Sequence, residues 1–166
     1  MIRAIVHADK EWGIGKNNDM MFSLPADMKF FRQTTLNHAI VMGGNTLRSF
    51  PGGNPLKNRV NIVLSRGQVR DDCVIVRSYD ELFAELKARQ NEDVYIVGGG
   101  EIYKALLPYC DEVLVTKVDA LGGATVYFPN LDEDEDFVLI YESEPIDDNG
   151  YTIKFTTYKN LAKKNF

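Results

Sequence analysis

DVYIVGGGEIY, residues 93–103, runs the unbroken apolar pattern VYIV into three consecutive glycines, then into a short helical pattern that Pro108 stops. A strand without polar alternation is expected where both faces are covered, as in the parallel sheets of α/β proteins. Glycines at such a junction let the backbone approach a ligand closely, and the free N–H groups of the helix start can face an anion. The pattern differs from the dinucleotide fingerprint G-x-G-x-x-G, because Gly98, Gly99 and Gly100 are contiguous and residue 103 is Tyr. A tight structural turn would use the same glycines.

On either side the chain repeats this alternation. Residues 3–8, 38–42, 60–64, 73–76, 93–97 and 112–118 read as strands, several of them continuously apolar. FVLIYE (137–142) and YTIKFTTY (151–158) follow with no helix between them, and Asn149-Gly150 is a hairpin signal, so this pair is expected to be antiparallel. Helices are expected at 25–35, where Pro25 suits a first turn, after MGGNT (42–46), after the capping-box pair Ser78 and Glu81, and over Glu101 to Leu107. The expectation is an α/β three-layer sandwich: an eight-stranded, mostly parallel sheet with an antiparallel C-terminal edge and four flanking helices. At 166 residues, with no repeat or linker composition, residues 1–166 are expected to form one domain.

Composition narrows the function classes. Lys plus Arg is 19 against 24 for Asp plus Glu, a net charge of −5, which disfavours sequence-independent nucleic-acid binding. No apolar run approaches a membrane span and the N-terminus does not read as a signal peptide, so a cytoplasmic protein is expected. Cys73 and Cys110 have neither metal-ligand spacing nor a disulfide framework, and His7 and His38 complete no metal or nucleophile set. Metal is expected to be absent. The charge is unevenly laid out: Arg48, Lys57, Arg59, Arg66, Arg70 and Arg77 outnumber the acids of residues 41–80, whereas residues 119–149 hold acids and no base. DEDED (132–136) reads as a solvated loop.

MGGNT repeats the strand–glycine–helix junction, and LSR (64–66) ends a third strand with Ser65 and Arg66. Two such junctions suggest an elongated ligand with several phosphates, and Arg66 with Arg77 could hold an adenosine 2′-phosphate, unless both are merely solvated. Asp27, in SLPADMKFF, stands in a first helical turn. It complements the helix dipole there, or it is a lone acid in an apolar pocket able to hold an amidine-like ring edge in a bidentate pair. Residues 9–24 read as a structureless loop, longer than a plain surface connection needs.

Taken together, GIG (13–15), LPADMKFF (24–31), IVMGGNT (40–46), NRVNIVLSR (58–66), VYIVGGGEIY (94–103) and VTKVDA (115–120) stand in the order and spacing of the dihydrofolate reductases. The chain resembles that family from its first strand to its final strand pair. The resemblance implies hydride transfer from NADPH to the pterin ring of 7,8-dihydrofolate. It also implies that Asp27 binds the pterin, with Thr116 bonded to that acid and Phe22 grouped with them as catalytic. Ile5, Val6, Met28, Phe31, Phe50 and Leu56 would line the substrate pocket, Arg59 would pair with the substrate's α-carboxylate, and Val97 and Tyr103 would flank pterin and nicotinamide. NADPH would contact His7, Ile14, Gly15, Met20, Gly43, Gly44, Asn45, Thr46, Leu64, Ser65, Arg66, Arg77, Gly99, Gly100, Glu101, Ile102 and Thr125. The Gly98–Gly99 bond would be cis, and loop 9–24 a lid carrying Met20. The family further implies a monomer with small-molecule partners, antifolate inhibitors among them.

Four positions depart from the family pattern. Met21-Phe22 stands where Pro-Trp is usual, Gly44 replaces a cation, GGATVYFP (122–129) lacks the usual Asp, and His7 replaces a small residue. A freer lid and a cofactor preference resting on Arg66 and Arg77 are the expected consequences. A same-fold reductase of another pterin or of a ribosylated pyrimidine, and a nucleotide-binding module without turnover, are the alternatives.

Overall fold

The computed structural model describes residues 1–17 and 19–166. In chain order the strands are β1 (Ile2–Ala8), β2 (Gly13–Gly15), β3 (Ala39–Gly43), β4 (Val60–Leu64), β5 (Val74–Val76), β6 (Val94–Gly98), β7 (Glu112–Val118), β8 (Val126–Tyr127), β9 (Phe137–Glu142), β10 (Ile146–Asp148) and β11 (Tyr151–Asn160). The helices are α1 (Pro25–Thr35), α2 (Gly44–Ser49), α3 (Tyr79–Ala88) and α4 (Gly100–Leu106). Across the main sheet the order is β10-β11-β7-β1-β6-β3-β4-β5. All neighbours from β7 to β5 are parallel, and β11 joins β7 antiparallel. Strands β9 and β10 pair with successive stretches of β11, so they occupy one edge position and the sheet is eight ribbons wide. Fold class and helix count agree with the sequence reading.

Strand alternation separates two cores. On one face Ile5, Ile40, Met42, Leu47, Val63 and Tyr95 cluster with Phe31, Phe50, Leu56 and Val97, covered by α1 and α2. On the other, Ala4, Val41, Ile62 and Ile96 meet Leu82 and Leu86 of α3 and Ile102 and Leu106 of α4. Contiguous apolar strands are what this double burial requires. Ser78 caps α3 as expected, accepting from the Glu81 N–H at 3.1 Å, while the Glu81 carboxylate accepts from Arg77 N–H rather than from the cap residue itself.

Two readings are corrected and a third is refined. Loop 9–24 is not structureless: Gly13–Gly15 pairs antiparallel with Val126-Tyr127, and Asp9 Oδ1 accepts the N–H groups of Glu11 and Gly13. The connector before Asn149-Gly150 contains β10, and both turn residues have positive φ, 55° and 86°. DEDED (132–136) is a largely exposed loop, as expected, and Asp132 makes specific contacts from it. Asp132 accepts from Lys117 Nζ at 3.0 Å and from the Tyr158 hydroxyl at 2.5 Å; partial burial alone would raise its carboxyl pKa, but these donors hold it below the ordinary range.

Candidate active site

Parallel pairing aligns the carboxyl ends of β6, β3 and β4, with Met42 opposite Gly98 and Gly43 opposite Leu64. The three junctions read from sequence therefore converge, at the edge of the sheet where ligands of open α/β folds bind. Gly98 has φ +124°, a region closed to most side chains, and a Cβ there would lie 3.3 Å from the Tyr103 ring and 3.5 Å from Thr46 Oγ1. The Gly98–Gly99 peptide is cis. Thr46, Gly43, Gly44, Gly99 and Gly100 line a cradle in which Val126 Cγ1 lies 2.6 Å and Ile102 Cγ1 3.4 Å from where a Cβ on Gly100 and on Gly43 would stand, while one on Gly99 would meet only Thr46 Oγ1 at 3.7 Å. Arg77 Nη1 donates to the Ser65 carbonyl at 2.9 Å, which fixes one cation beside it, and Arg66 is exposed at the end of β4. Asn45 and Glu101 are exposed in the first turns of α2 and α4.

Sequence reading missed a cation here. A Cβ on Gly44 would lie 3.3 Å from Arg48 Nη1 and 3.4 Å from Ser65 Oγ, so Arg48 reaches back over the space that Gly44 leaves. Its other amino group donates to Asn45 Oδ1. The available signal was spacing: residues 44 and 48 are one helical turn apart.

Asp27 is 9% exposed. Thr116 Oγ1 donates to its Oδ1 at 2.7 Å, and His7 Nδ1 lies 3.4 Å from its Oδ2. Sequence left open whether Asp27 serves the helix dipole, and the structure shows another residue meeting that need. Asp148, buried on β10, accepts the N–H of Ala26 at 3.0 Å and of Asp27 at 3.1 Å, capping α1 in place of Leu24. The Asp27 carboxylate is met by Thr116 and His7 instead. Ile5, Phe31, Phe50, Leu56 and Val97 lie together on the face of the sheet that α1 covers, and Met28 is exposed at its rim. Arg59 stands at the far end of α1, its guanidinium donating to Thr35 Oγ1 and to the carbonyls of Arg32 and Lys57. Tyr103 sits across the sheet but sends its hydroxyl to the Ile5 carbonyl at 2.7 Å, and burial pushes its pKa far up, so the phenol stays neutral.

Other expected site residues lie elsewhere. Val6 alternates away from Ile5 and packs in the opposite core with Ile14 and Leu64, so its side chain does not line the Asp27 pocket. Phe22 is buried with Leu24, Val118 and Ile153, its ring edge-on to Tyr151 at 4.9 Å; an apolar packed ring has no proton to exchange, which removes it from the chemical groups. Thr125 ties loop 9–24, the expected lid: its N–H donates to Gly15 O at 2.8 Å and its Oγ1 accepts from Asn17 N–H at 3.1 Å. The missing Asp of the 122–129 stretch therefore does not leave the lid untied. Met20 is half exposed on the lid, and Gly15 and Ile14 lie in the β2 ribbon. Cys110 is buried, which pushes its thiol up to about 12, and no group of three or more metal-ligating side chains occurs among the described residues.

A glycine-lined, arginine-flanked cradle at the carboxyl ends of parallel strands, beside one buried acid, is the arrangement of a nucleotide-binding α/β enzyme. The family model for dihydrofolate reductase matches residues 1–160. The dihydrofolate reductase of Bacillus subtilis is 32% identical over 168 residues, covering 98% of each chain, and that of Haemophilus influenzae is 34% identical over 143 residues, covering 86% of this chain and 88% of its own. Dihydrofolate reductase from Enterococcus faecalis, solved as a complex with NADP(H) and RAB-propyl, superposes with a TM-score of 0.85 at 27% identity over 96% of each chain. The chain belongs to the dihydrofolate reductase family.

Proposed function

We propose that this chain reduces 7,8-dihydrofolate to 5,6,7,8-tetrahydrofolate with NADPH, and that Asp27 is the residue that holds the pterin. The observation that carries this reading is the 2.7 Å bond from Thr116 to a buried Asp27 whose helix is capped by a different acid. A planar N–H/N–H₂ ring edge is the natural partner of such a carboxylate. The apolar wall of Ile5, Phe31, Phe50, Leu56 and Val97 suits an aromatic ring system, and Arg59, fixed at the pocket's far end, suits a carboxylate tail.

NADPH would lie along the glycine-rich junction, and when bound it supplies the hydride. Thr46, Ser65 and the backbone of Gly43, Gly99 and Gly100 would hold its phosphates, with Arg66, Arg77 and Arg48 nearest its 2′-phosphate. The lid, tied through Thr125, shields the cleft from water. Asp27 binds its ring edge as an anion and raises the basicity of the bound pterin electrostatically, so that solvent can protonate N5. One domain, acting as a monomer in the cytoplasm on small molecules, completes the proposal; among the described residues no helix is long and apolar enough to cross a membrane.

Following NADPH oxidation at 340 nm with dihydrofolate tests the reading. Asp27→Asn is expected to lose most neutral-pH turnover, on the order of a hundredfold or more, with partial recovery as acid protonates the substrate itself. Undiminished turnover by Asp27→Asn at neutral pH would exclude this role. The alternative of a ribosylated pyrimidine substrate predicts oxidation with that compound and none with dihydrofolate.

A further inference from the structure

The family resemblance puts His7 among the NADPH contacts, but in the structure its ring stands beside the central acid instead. It stands on β1 two residues beyond Ile5 and therefore on the same face of the sheet. Its Nδ1 lies 3.4 Å from Asp27 Oδ2, and the two side chains are only 11% and 12% exposed. Its Nε2 is buried and has no hydrogen-bond partner among the described residues. Phe22 approaches the ring at 6.3 Å. In the register of β1 and β7, His7 is directly opposite Thr116, the donor to Asp27 Oδ1. Two neighbours on adjacent strands thus address the two oxygens of one carboxylate.

We infer that His7 is a positioning residue for Asp27 and, through it, a determinant of how tightly the chain holds the ring edge of its substrate. The inference rests on the proposed role of Asp27. A carboxylate held at one oxygen turns easily about its last torsion, which is broad and two-fold; held at both oxygens, its plane is fixed. Bidentate pairing with a planar ring edge needs that plane fixed before substrate arrives. At 3.4 Å the Nδ1–Oδ2 approach is longer than a formed hydrogen bond and closes with the proton on Nδ1, and Nε2 has no partner among the described residues that would turn the ring away. The other charged and titratable groups around the pair are engaged elsewhere: Asp148 on β10 caps the α1 backbone, and Tyr103 on α4 is a phenol bonded to the Ile5 carbonyl.

Steady-state kinetics with both substrates varied tests this on the full chain. His7→Ala is expected to raise KM for dihydrofolate about tenfold, with KM for NADPH unchanged and kcat within about threefold. His7→Asn, which keeps an N–H near the Nδ1 position, is expected to return KM to within about twofold of the parent. Unchanged KM for dihydrofolate in His7→Ala, equal impairment of Ala and Asn variants, or a rise in KM for NADPH instead would each overturn the assignment. Nitrogen-15 NMR of the NADPH-bound parent gives a second readout that needs no variant to fold: an Nδ1–H tautomer supports the contact and an Nε2–H tautomer overturns it. Asp27→Asn separates the two levels. Full turnover there overturns the site reading and this inference together, whereas its loss alongside an unaffected His7→Ala overturns this inference alone.

Discussion

A buried carboxylate persists only where donors meet its oxygens, because an unpaired acceptor in a low-dielectric site costs about 1–3 kcal/mol. Thr116 is the short, well-formed donor to Asp27, and it can be removed almost without change of shape. Thr116→Val deletes that bond while keeping the β-branched volume on β7. The expected result is a fall in kcat/KM for dihydrofolate of about tenfold, with KM for NADPH unchanged, read from initial rates with each substrate varied in turn. Asp27 was legible as a candidate because LPADMKFF puts one acid among apolar residues at a helix start. Its surroundings were not. Asp148 lies 121 residues away from it in sequence, and nothing local in IDDNG marks one of two adjacent aspartates as a helix cap. His7 was legible only as a replacement for a small residue; which helix docks over its face of β1 is a tertiary fact, and so its approach to Asp27 could not be read.

The elements carry the lid. Long apolar strands and capped helices announce themselves by period, which is why the main sheet, its antiparallel edge and all four helices were readable. The ribbon of β2 and β8 was not, since three residues and two residues are too short to show alternation and their pairing spans more than a hundred positions. That ribbon brings the 122–125 stretch against the lid closely enough to be tested. A Cβ on Gly122 would lie 2.7 Å from Met21 Sδ and 2.8 Å from Met21 Cβ, so Gly122→Ala forces the lid base outward. Overpacking of this kind costs about 1–3 kcal/mol locally. Because Met21 and Phe22 lead directly into α1, the displacement is expected to lower kcat/KM about tenfold or more while the main transition in thermal unfolding moves by only a few degrees. A variant with parental kinetics would show that the lid seats independently of the 122–125 stretch.

For the whole molecule, net charge misleads about ligands. At −5 the chain should repel a cofactor bearing several phosphates, yet the acids gather in residues 119–149, while Arg48, Arg66 and Arg77 lie around the β3 and β4 junctions. Local potential, not the sum, governs the approach of a small anion, and across a Debye length of about 8 Å at physiological salt the distant acids are largely screened. Two consequences distinguish this layout from a surface that merely tolerates NADPH. KM for NADPH is expected to rise with ionic strength although the protein is acidic, because the interaction being screened is the attractive one. Arg66→Gln and Arg77→Gln are each expected to raise KM for NADPH several-fold while leaving KM for NADH nearly unchanged, since NADH lacks the 2′-phosphate. Arg48→Gln makes the sharper comparison: with no side chain at residue 44, Arg48 is the cation that fills its place, and its loss should lower the preference for NADPH over NADH about as much as loss of Arg66. Equal effects on the two nucleotides in all three variants would mean that the arginines hold only the phosphates common to both, and that selection between the nucleotides resides in the glycine cradle.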